Sequence, residues 1–166
     1  TLTPKAGATN EIAVVWTNGA SPGATSYLVY RNGVYYTTVT GATTYTDTGC
    51  AANTSYTYYI VASNSNGAGV GGQSAAGTSR SATTPPAAPT LVFTDMGAGV
   101  VRITWNNTGG TTYTLTNTTT NTVLWNAGGL GPATDTGLTT GTSYAYSIVA
   151  TNGTAGPAGT GTHTAP

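Results

Sequence analysis

The chain has 166 residues, of which 38% are hydrophobic and only 5% are charged, and it has no net charge at pH 7. So few charges exclude the basic surface by which proteins bind nucleic acid. Disorder is also excluded, because disordered chains have few aromatics and a high net charge, whereas this one has 11 Tyr and 3 Trp. Composition therefore predicts a folded protein that is kept in solution by uncharged polar side chains.

No apolar run approaches the roughly 18 residues that a membrane-spanning helix needs, so we expect no membrane insertion. The start of the chain does not resemble a signal peptide and has no initiating Met, which indicates a processed portion of a longer protein. A single Cys cannot form an internal disulfide, so cysteine usage does not predict the redox compartment.

The first predicted strand contains Ile12, Val14 and Trp16, which alternate with other residues at the period of two expected for a half-buried strand. Trp16 should therefore lie in a core. Residues 26–30 and 34–39 flank Asn32-Gly33, the dipeptide best suited to a type I′ turn, and this predicts a hairpin.

A short strand at 44–46, a long one at 56–64 and a final one somewhere within 73–80 complete the first half. The second half repeats this plan: residues 46–49 and 56–64 return as 134–137 and 144–152 at an offset of 88, and Trp105 corresponds to Trp16. So long a repeat predicts two copies of one domain. We expect domains at 1–80 and 90–166, joined by a proline-rich, fairly stiff linker at 81–89.

Three motifs of the first half carry a family resemblance: Tyr-x-Val-Tyr-Arg-Asn-Gly at residues 27–33, Tyr-Thr-Asp-Thr-Gly at 45–49, and Tyr-x-Tyr-x-Ile-x-Ala-x-Asn at 56–64. Together with Trp16 they resemble a bacterial fibronectin type III domain, and the second half resembles the same family through Trp105, residues 134–138 and residues 144–152. The resemblance implies an all-β chain of two antiparallel immunoglobulin-like sandwiches in tandem. It also implies that Tyr56 and Tyr144 are corner tyrosines, whose hydroxyls bond to backbone upstream.

Residues capable of catalysis are few. The acidic residues are Glu11, Asp47, Asp95 and Asp135, whereas general acid–base catalysis needs two carboxyls held close together. Asp47 and Asp135 occupy equivalent turns, which favours structural Asx-turns. His163 is the only His, so neither a Ser-His-Asp triad nor a metal cluster is predicted. We expect no enzyme activity, cofactor or metal.

Other candidates have structural interpretations. Cys50 takes the place of Leu138 in the second copy, which indicates a small buried side chain; the alternative is a reactive or cross-linking thiol. Residues 67–72 formally match G-x-G-x-x-G, but no helical pattern follows, so we interpret them as a loop. The basic residues Lys5, Arg31, Arg80 and Arg102 are scattered along the chain, which argues against nucleic acid or anionic membrane as a partner.

Surface aromatics are the remaining functional candidates. Tyr35, Tyr36, Tyr59 and Trp125 lie on strands whose alternation should turn some of them outward. An exposed strip of this kind could stack on sugar rings or pack against another protein; ordinary cross-strand packing is the alternative.

The sequence thus predicts a non-catalytic structural or interaction module, such as a spacer, adhesion or decoration segment of a surface, fibre or virion assembly outside the cell. Its partners would be other protein domains or copies of itself, since few charges oppose close packing. The alternative is a carbohydrate-binding accessory of a secreted polysaccharide-degrading enzyme, with a glycan as the partner.

Overall fold

The structure is a computed structural model that describes residues 2–4, 8–17, 23–64 and 72–166. Every regular element in these ranges is a β-strand, so the predicted all-β class is confirmed. The described residues include no helix with the length and apolar character that a membrane span requires. The chain divides into two compact units, one containing Asn10–Thr84 together with the first strand and the other containing Pro85–Pro166.

The first unit is built from two antiparallel sheets, as the type III resemblance implied. One sheet has the order β1-β2-β5 and the other has the order β4-β3-β6-β7. The strands are β1 Leu2–Pro4, β2 Ile12–Val15, β3 Ser26–Arg31, β4 Val34–Thr40, β5 Thr44–Asp47, β6 Ser55–Ser63 and β7 Arg80–Thr83.

The second unit repeats the arrangement strand for strand. Its sheets have the orders β12-β9-β8 and β11-β10-β13-β14. The strands are β8 Leu91–Gly97, β9 Val100–Trp105, β10 Thr112–Asn117, β11 Thr122–Ala127, β12 Ala133–Asp135, β13 Ser143–Thr151 and β14 Gly159–Thr164.

The last strand of the first unit lies later in the chain than the sequence predicted. We expected it within 73–80, where Gln73 forms an isolated bridge with Ser63 and the Gly77 amide bonds to Ile60, but the regular strand β7 starts only at Arg80 and pairs with residues 55–58 of β6. It therefore occupies part of the segment predicted as a linker. The prolines that follow, Pro85, Pro86 and Pro89, are buried in the second unit. A Cβ at Gly156 or Gly159 would collide with the carbonyl oxygens of Pro86 and Pro89, so the proline segment packs directly on glycine backbone.

The predicted Asn32-Gly33 hairpin is confirmed. Asn32 has φ 51° and Gly33 has φ 82°, as a type I′ turn requires, and the turn joins β3 to β4. The hairpin is not regular beyond the turn, because Tyr30 pairs with Tyr35 while Val29 pairs with Thr37. Tyr36 is thus the extra residue of a β-bulge, and Leu124 is the extra residue at the equivalent place in the second unit.

Each unit has its own apolar core between its two sheets. In the second unit Trp105 is 6% exposed and packs with Val101, Ile103, Leu115 and Ile148. In the first unit Ile12, Val14, Val29 and Tyr58 form the core, and Trp16 is only partly buried at its margin, contrary to the sequence prediction. Trp16 packs against Tyr27, with ring centroids 5.3 Å apart, but Thr37 stands where Trp125 packs against Trp105 in the second unit.

Candidate functional site

The densest cluster of polar side chains surrounds Asp47, the last residue of β5, which is fully buried. Arg31 Nη1 donates to Asp47 Oδ2 at 3.0 Å and forms a salt bridge with it. The hydroxyls of Tyr58 and Tyr36 donate at 2.6 and 3.0 Å, and the Gly49 amide donates at 3.0 Å. The Gly49 bond is the Asx-turn that the sequence predicted, whereas the other donors come from β3, β4 and β6.

The hydrogen bonds determine the protonation of this cluster. Burial raises the pKa of Asp47, but the donors from Tyr58, Gly49 and Arg31 more than offset burial and lower it below its ordinary 3.8. Burial and the bond to the carboxylate raise the pKa of Tyr58 far above its usual value. Asp47 is therefore ionised, and Tyr58 is a neutral donor.

Cys50 belongs to the edge of the same cluster. It is buried, and its Sγ lies 3.7 Å from the hydroxyl of Tyr58. Burial raises the pKa of the thiol, which disfavours the reactive thiolate. Cys50 and Leu138 are equally buried in the two units, as expected for small apolar side chains at equivalent positions.

The second unit has a counterpart of this cluster in which an amide takes the place of the cation. Asp135 accepts hydrogen bonds from Asn117 Nδ2 at 2.7 Å and from the Tyr146 hydroxyl at 3.1 Å. Asn117 pairs with Tyr146 just as Arg31 pairs with Tyr58, so Asn replaces Arg at the same place in the repeat. An acid bonded to the long strand is thus common to both units, whereas the salt bridge is particular to the first.

This geometry gives the acids a structural role. The described contacts of Asp47 and Asp135 are to donors of their own sandwich, and neither is paired with a second carboxyl in the described contacts. In the part of the chain that the structure describes, no group of three or more His, Cys, Asp or Glu residues could hold a metal ion. His163 contacts only one acidic side chain among the described residues, Asp95, at 2.7 Å.

The sequence did not predict Arg31, Tyr58, Asn117 and Tyr146 as partners of the acids. A signal existed, because acid and tyrosine are eleven residues apart in both copies. The partner on β3 or β10 could not be found in this way, since Arg and Asn share no side-chain chemistry beyond the ability to donate.

The corner tyrosines are placed as the resemblance implied. Tyr56 accepts a hydrogen bond from the Ala51 amide at 2.8 Å, and Tyr144 accepts one from the Thr139 amide at 3.0 Å. Each bond spans five residues upstream. Tyr144 is buried and Tyr56 is partly buried. These bonds tie the loop before the long strand to that strand.

Of the four aromatics predicted as surface candidates, two turn inward. The bulge points Tyr36 toward Asp47, and the Arg31 guanidinium lies 4.0 Å from the centre of its ring. Trp125 pairs with the buried Leu115 and packs edge-on against Trp105 at 5.8 Å. Neither is part of an exposed strip.

The other two, Tyr35 and Tyr59, lie on the outer face of the β4-β3-β6-β7 sheet, on either side of Tyr30. The rings of Tyr30 and Tyr59 stack at 4.6 Å with an interplanar angle of 9°. Tyr35 stands edge-on to Tyr30 at 6.0 Å and 79°, and its hydroxyl is 3.0 Å from Thr38 Oγ1. Tyr35 is 53% exposed.

The basic residues of the described chain are dispersed, as the sequence indicated. Arg31 is used in the Asp47 cluster, Arg80 begins β7 and Arg102 lies in the middle of β9. Lys5 and all but the last residue of the 67–72 glycine-rich loop lie outside the described residues.

Comparison of the sequence with protein-family models and with curated proteins gives no match. Solved structures do match. A two-domain fibronectin type III segment of chicken tenascin has a TM-score of 0.51 and 16% identity, over 99% of this chain and 97% of that one. The central fibronectin-III array of RIM-binding protein has a TM-score of 0.39 and 16% identity, over 99% of this chain and 67% of that one. Identities this low show the fold alone, and the predicted tandem of fibronectin type III sandwiches is confirmed at that level.

Proposed function

We propose that this chain, two fibronectin type III sandwiches in tandem, is a non-catalytic structural and interaction module of an extracellular, cell-surface fibre or virion assembly. It would act as a spacer, adhesion or decoration segment in contact with other protein domains or with copies of itself. The observation that carries the proposal is the use of the buried acids in both copies. Asp47 and Asp135 are hydrogen-bonded to the long strands of their own units, so the buried polar groups that the two copies share hold each sandwich together.

The composition supports the same conclusion. Only 5% of the residues are charged, so close packing against a neighbour would desolvate few ions and meet little repulsion. Loops within each unit are tied to one another by backbone hydrogen bonds, from the Leu138 amide to the Gly99 carbonyl at 3.0 Å and from the Cys50 amide to the Asn10 carbonyl at 3.2 Å. A module with tied loops and few charges suits a position between other domains.

Localisation tests the proposal directly. An antibody raised against the purified chain should label intact cells of the source organism, or particles and fibres isolated from their medium, without detergent. Labelling that requires permeabilisation would overturn the extracellular assignment. Sedimentation of the purified chain from about 0.05 to 0.5 M salt tests the mode of association, which should not depend on salt because few charges contribute.

A further inference from the structure

The outer face of the β4-β3-β6-β7 sheet carries Tyr30, Tyr35 and Tyr59. The residues that alternate onto it carry hydroxyls or apolar groups and no charge. Arg31 turns to the opposite side, where it binds Asp47. The hydroxyls include a bonded pair, Thr57 and Ser81, with oxygens 2.7 Å apart. A ligand on this face would meet hydroxyls and aromatic rings but no ion.

The ring of Tyr35 is held flat on this face. Tyr30 and Tyr59 are paired across neighbouring strands, and their parallel rings are separated by about the strand spacing of roughly 4.8 Å, so they stand upright, side by side. Tyr35 is turned 79° from Tyr30, and its hydroxyl reaches along β4 to Thr38. The ring therefore lies along its strand with one side toward solvent, which agrees with its half exposure.

The fold does not require these rings. The second unit forms the same sheet with Val123, Thr116 and Ser147 at the positions of Tyr35, Tyr30 and Tyr59. Since the same sandwich forms without the three tyrosines, their presence in the first unit calls for a reason other than folding.

We propose that Tyr35 is the platform of a binding site for a neutral polysaccharide. The C–H face of a pyranose ring would stack on the Tyr35 ring, where its partly positive hydrogens meet the negative face of the aromatic. The upright Tyr30–Tyr59 pair would bound the site on one side. The lack of charge on the face matches a neutral sugar, and an anionic glycan or a nucleic acid would find no cation there.

The size of the patch favours a sugar over a second copy of the chain. Tyr35 is the one large apolar side chain on this face that is exposed, and every residue of the face is described. A stable protein interface needs about 800 Å² from each partner, with a well-packed apolar centre. One ring is too little for such an interface, but it is the area that one pyranose covers.

The test is an NMR titration of the full chain with cellohexaose, chitohexaose and mannohexaose as neutral probes and with polygalacturonate as the anionic one. At least one neutral probe should give saturable shifts confined to β3, β4 and β6. Tyr35→Val, which introduces the residue of the second copy, should weaken binding about tenfold, as expected for the loss of an aromatic contact. Tyr35→Phe keeps the ring and should keep most of the binding.

Val123→Ala, at the equivalent position of the second unit, is the matched control and should leave binding unchanged. Urea unfolding of Tyr35→Val establishes that the first unit remains folded. The proposal is overturned if none of the three neutral probes binds, if Tyr35→Val binds as well as the parent, or if only polygalacturonate binds. It is also overturned if shifts of the same residues appear on raising the protein concentration without sugar, which would assign the face to self-association. These outcomes leave the proposed assembly function standing, since it does not depend on Tyr35.

Discussion

Asp47 and Asp135 are both buried between two sheets, but their carboxyls have different partners. The first unit surrounds a charged oxygen with Arg31 and tyrosine hydroxyls, and the second uses the neutral amide of Asn117. A buried ion pair has a large desolvation cost, so the salt bridge need not make the first unit the more stable. It does couple the stability of the first unit to the ionisation of Asp47.

The first unit should therefore lose stability at low pH. The folded pKa of Asp47 lies below its ordinary 3.8, so the stabilisation is complete above that pH and is lost as the pH falls through the folded pKa. We expect Asp47→Asn to flatten this acid slope and to cost about 1–3 kcal/mol at pH 7, because Arg31 loses its counter-ion and the new NH₂ group faces hydrogen-bond donors where an acceptor oxygen stood. Urea unfolding at pH 7, 5, 3 and 2, followed by amide NMR signals of the first unit, measures both effects.

Asp95→Asn, an exposed carboxyl of the second unit, is the control and should leave the first unit unchanged. An Asp47→Asn variant that kept the acid slope of the parent would show that another group is responsible for it.

The hydroxyls of the corner tyrosines, Tyr56 and Tyr144, should also contribute to stability. Tyr144→Phe and Tyr56→Phe should each lower the free energy of unfolding of their own unit by about 1 kcal/mol, since the amide of Thr139 or Ala51 loses its acceptor while the ring still packs. Tyr59→Phe serves as the control, because the Tyr59 hydroxyl has no hydrogen bond among the described contacts. Corner variants as stable as this control would show that the two hydroxyls do not stabilise the loops.

Among the elements, the β3–β4 hairpin depends most on a single backbone conformation. Gly33 has φ 82°, where a side chain costs about 1–2 kcal/mol, so Gly33→Ala should destabilise the first unit by about that amount. Val34→Thr, at an exposed position beside the turn, should change the stability by less than about 0.5 kcal/mol. Chemical denaturation of both variants measures the difference, and equal stabilities would mean that the turn relaxes to another type.

The sequence predicts this hairpin because Asn-Gly is a local signal, readable without knowledge of the fold. The bulge that follows is not local in this sense. Simple alternation does not place Tyr36 against Asp47, which requires one extra residue on β4. The start of β7 was missed for a related reason, because Arg80 joins the sheet through its pairing with Tyr58, far away in the chain. Core positions such as Ile12 and Val14 followed from periodicity, whereas the contact of Arg31 with Asp47 between the two sheets depends on the register of several strands.

At the scale of the whole molecule, the two separate cores predict that a core mutation destabilises only the unit that contains it. Trp105→Ala should cost about 3–5 kcal/mol through lost burial and a cavity, a large part of the roughly 5–15 kcal/mol that stabilises a domain. NMR should then show the second unit unfolded or weakened and the first unchanged. Trp16→Ala should cost the first unit less, because Trp16 is only partly buried. Loss of both units in one transition on mutating Trp105 would show that they fold together.

Proteolysis tests the strand assignments along the whole chain. A protease binds its substrate as an extended segment without strand partners, so a residue that is paired in a sheet resists cleavage. Arg102 is paired on both sides, with Thr94 and Thr134, and Arg31 is likewise paired with Val34 and Tyr58. Arg80 has a partner on one side only, at the start of an edge strand. We expect trypsin to cut the folded chain after Arg80 before it cuts after Arg31 or Arg102.

The same order of cleavage should appear at about 0.05 and 0.5 M salt, because backbone hydrogen bonds hold these strands and are little affected by screening. Digestion in urea is the control, since unfolding should expose all three sites alike. Early cleavage after Arg102 in the folded chain would contradict the central position of β9. If high salt advanced cleavage after Arg31 alone, the Asp47 salt bridge, and not the pairing of β3 with its neighbours, would be what protects that site.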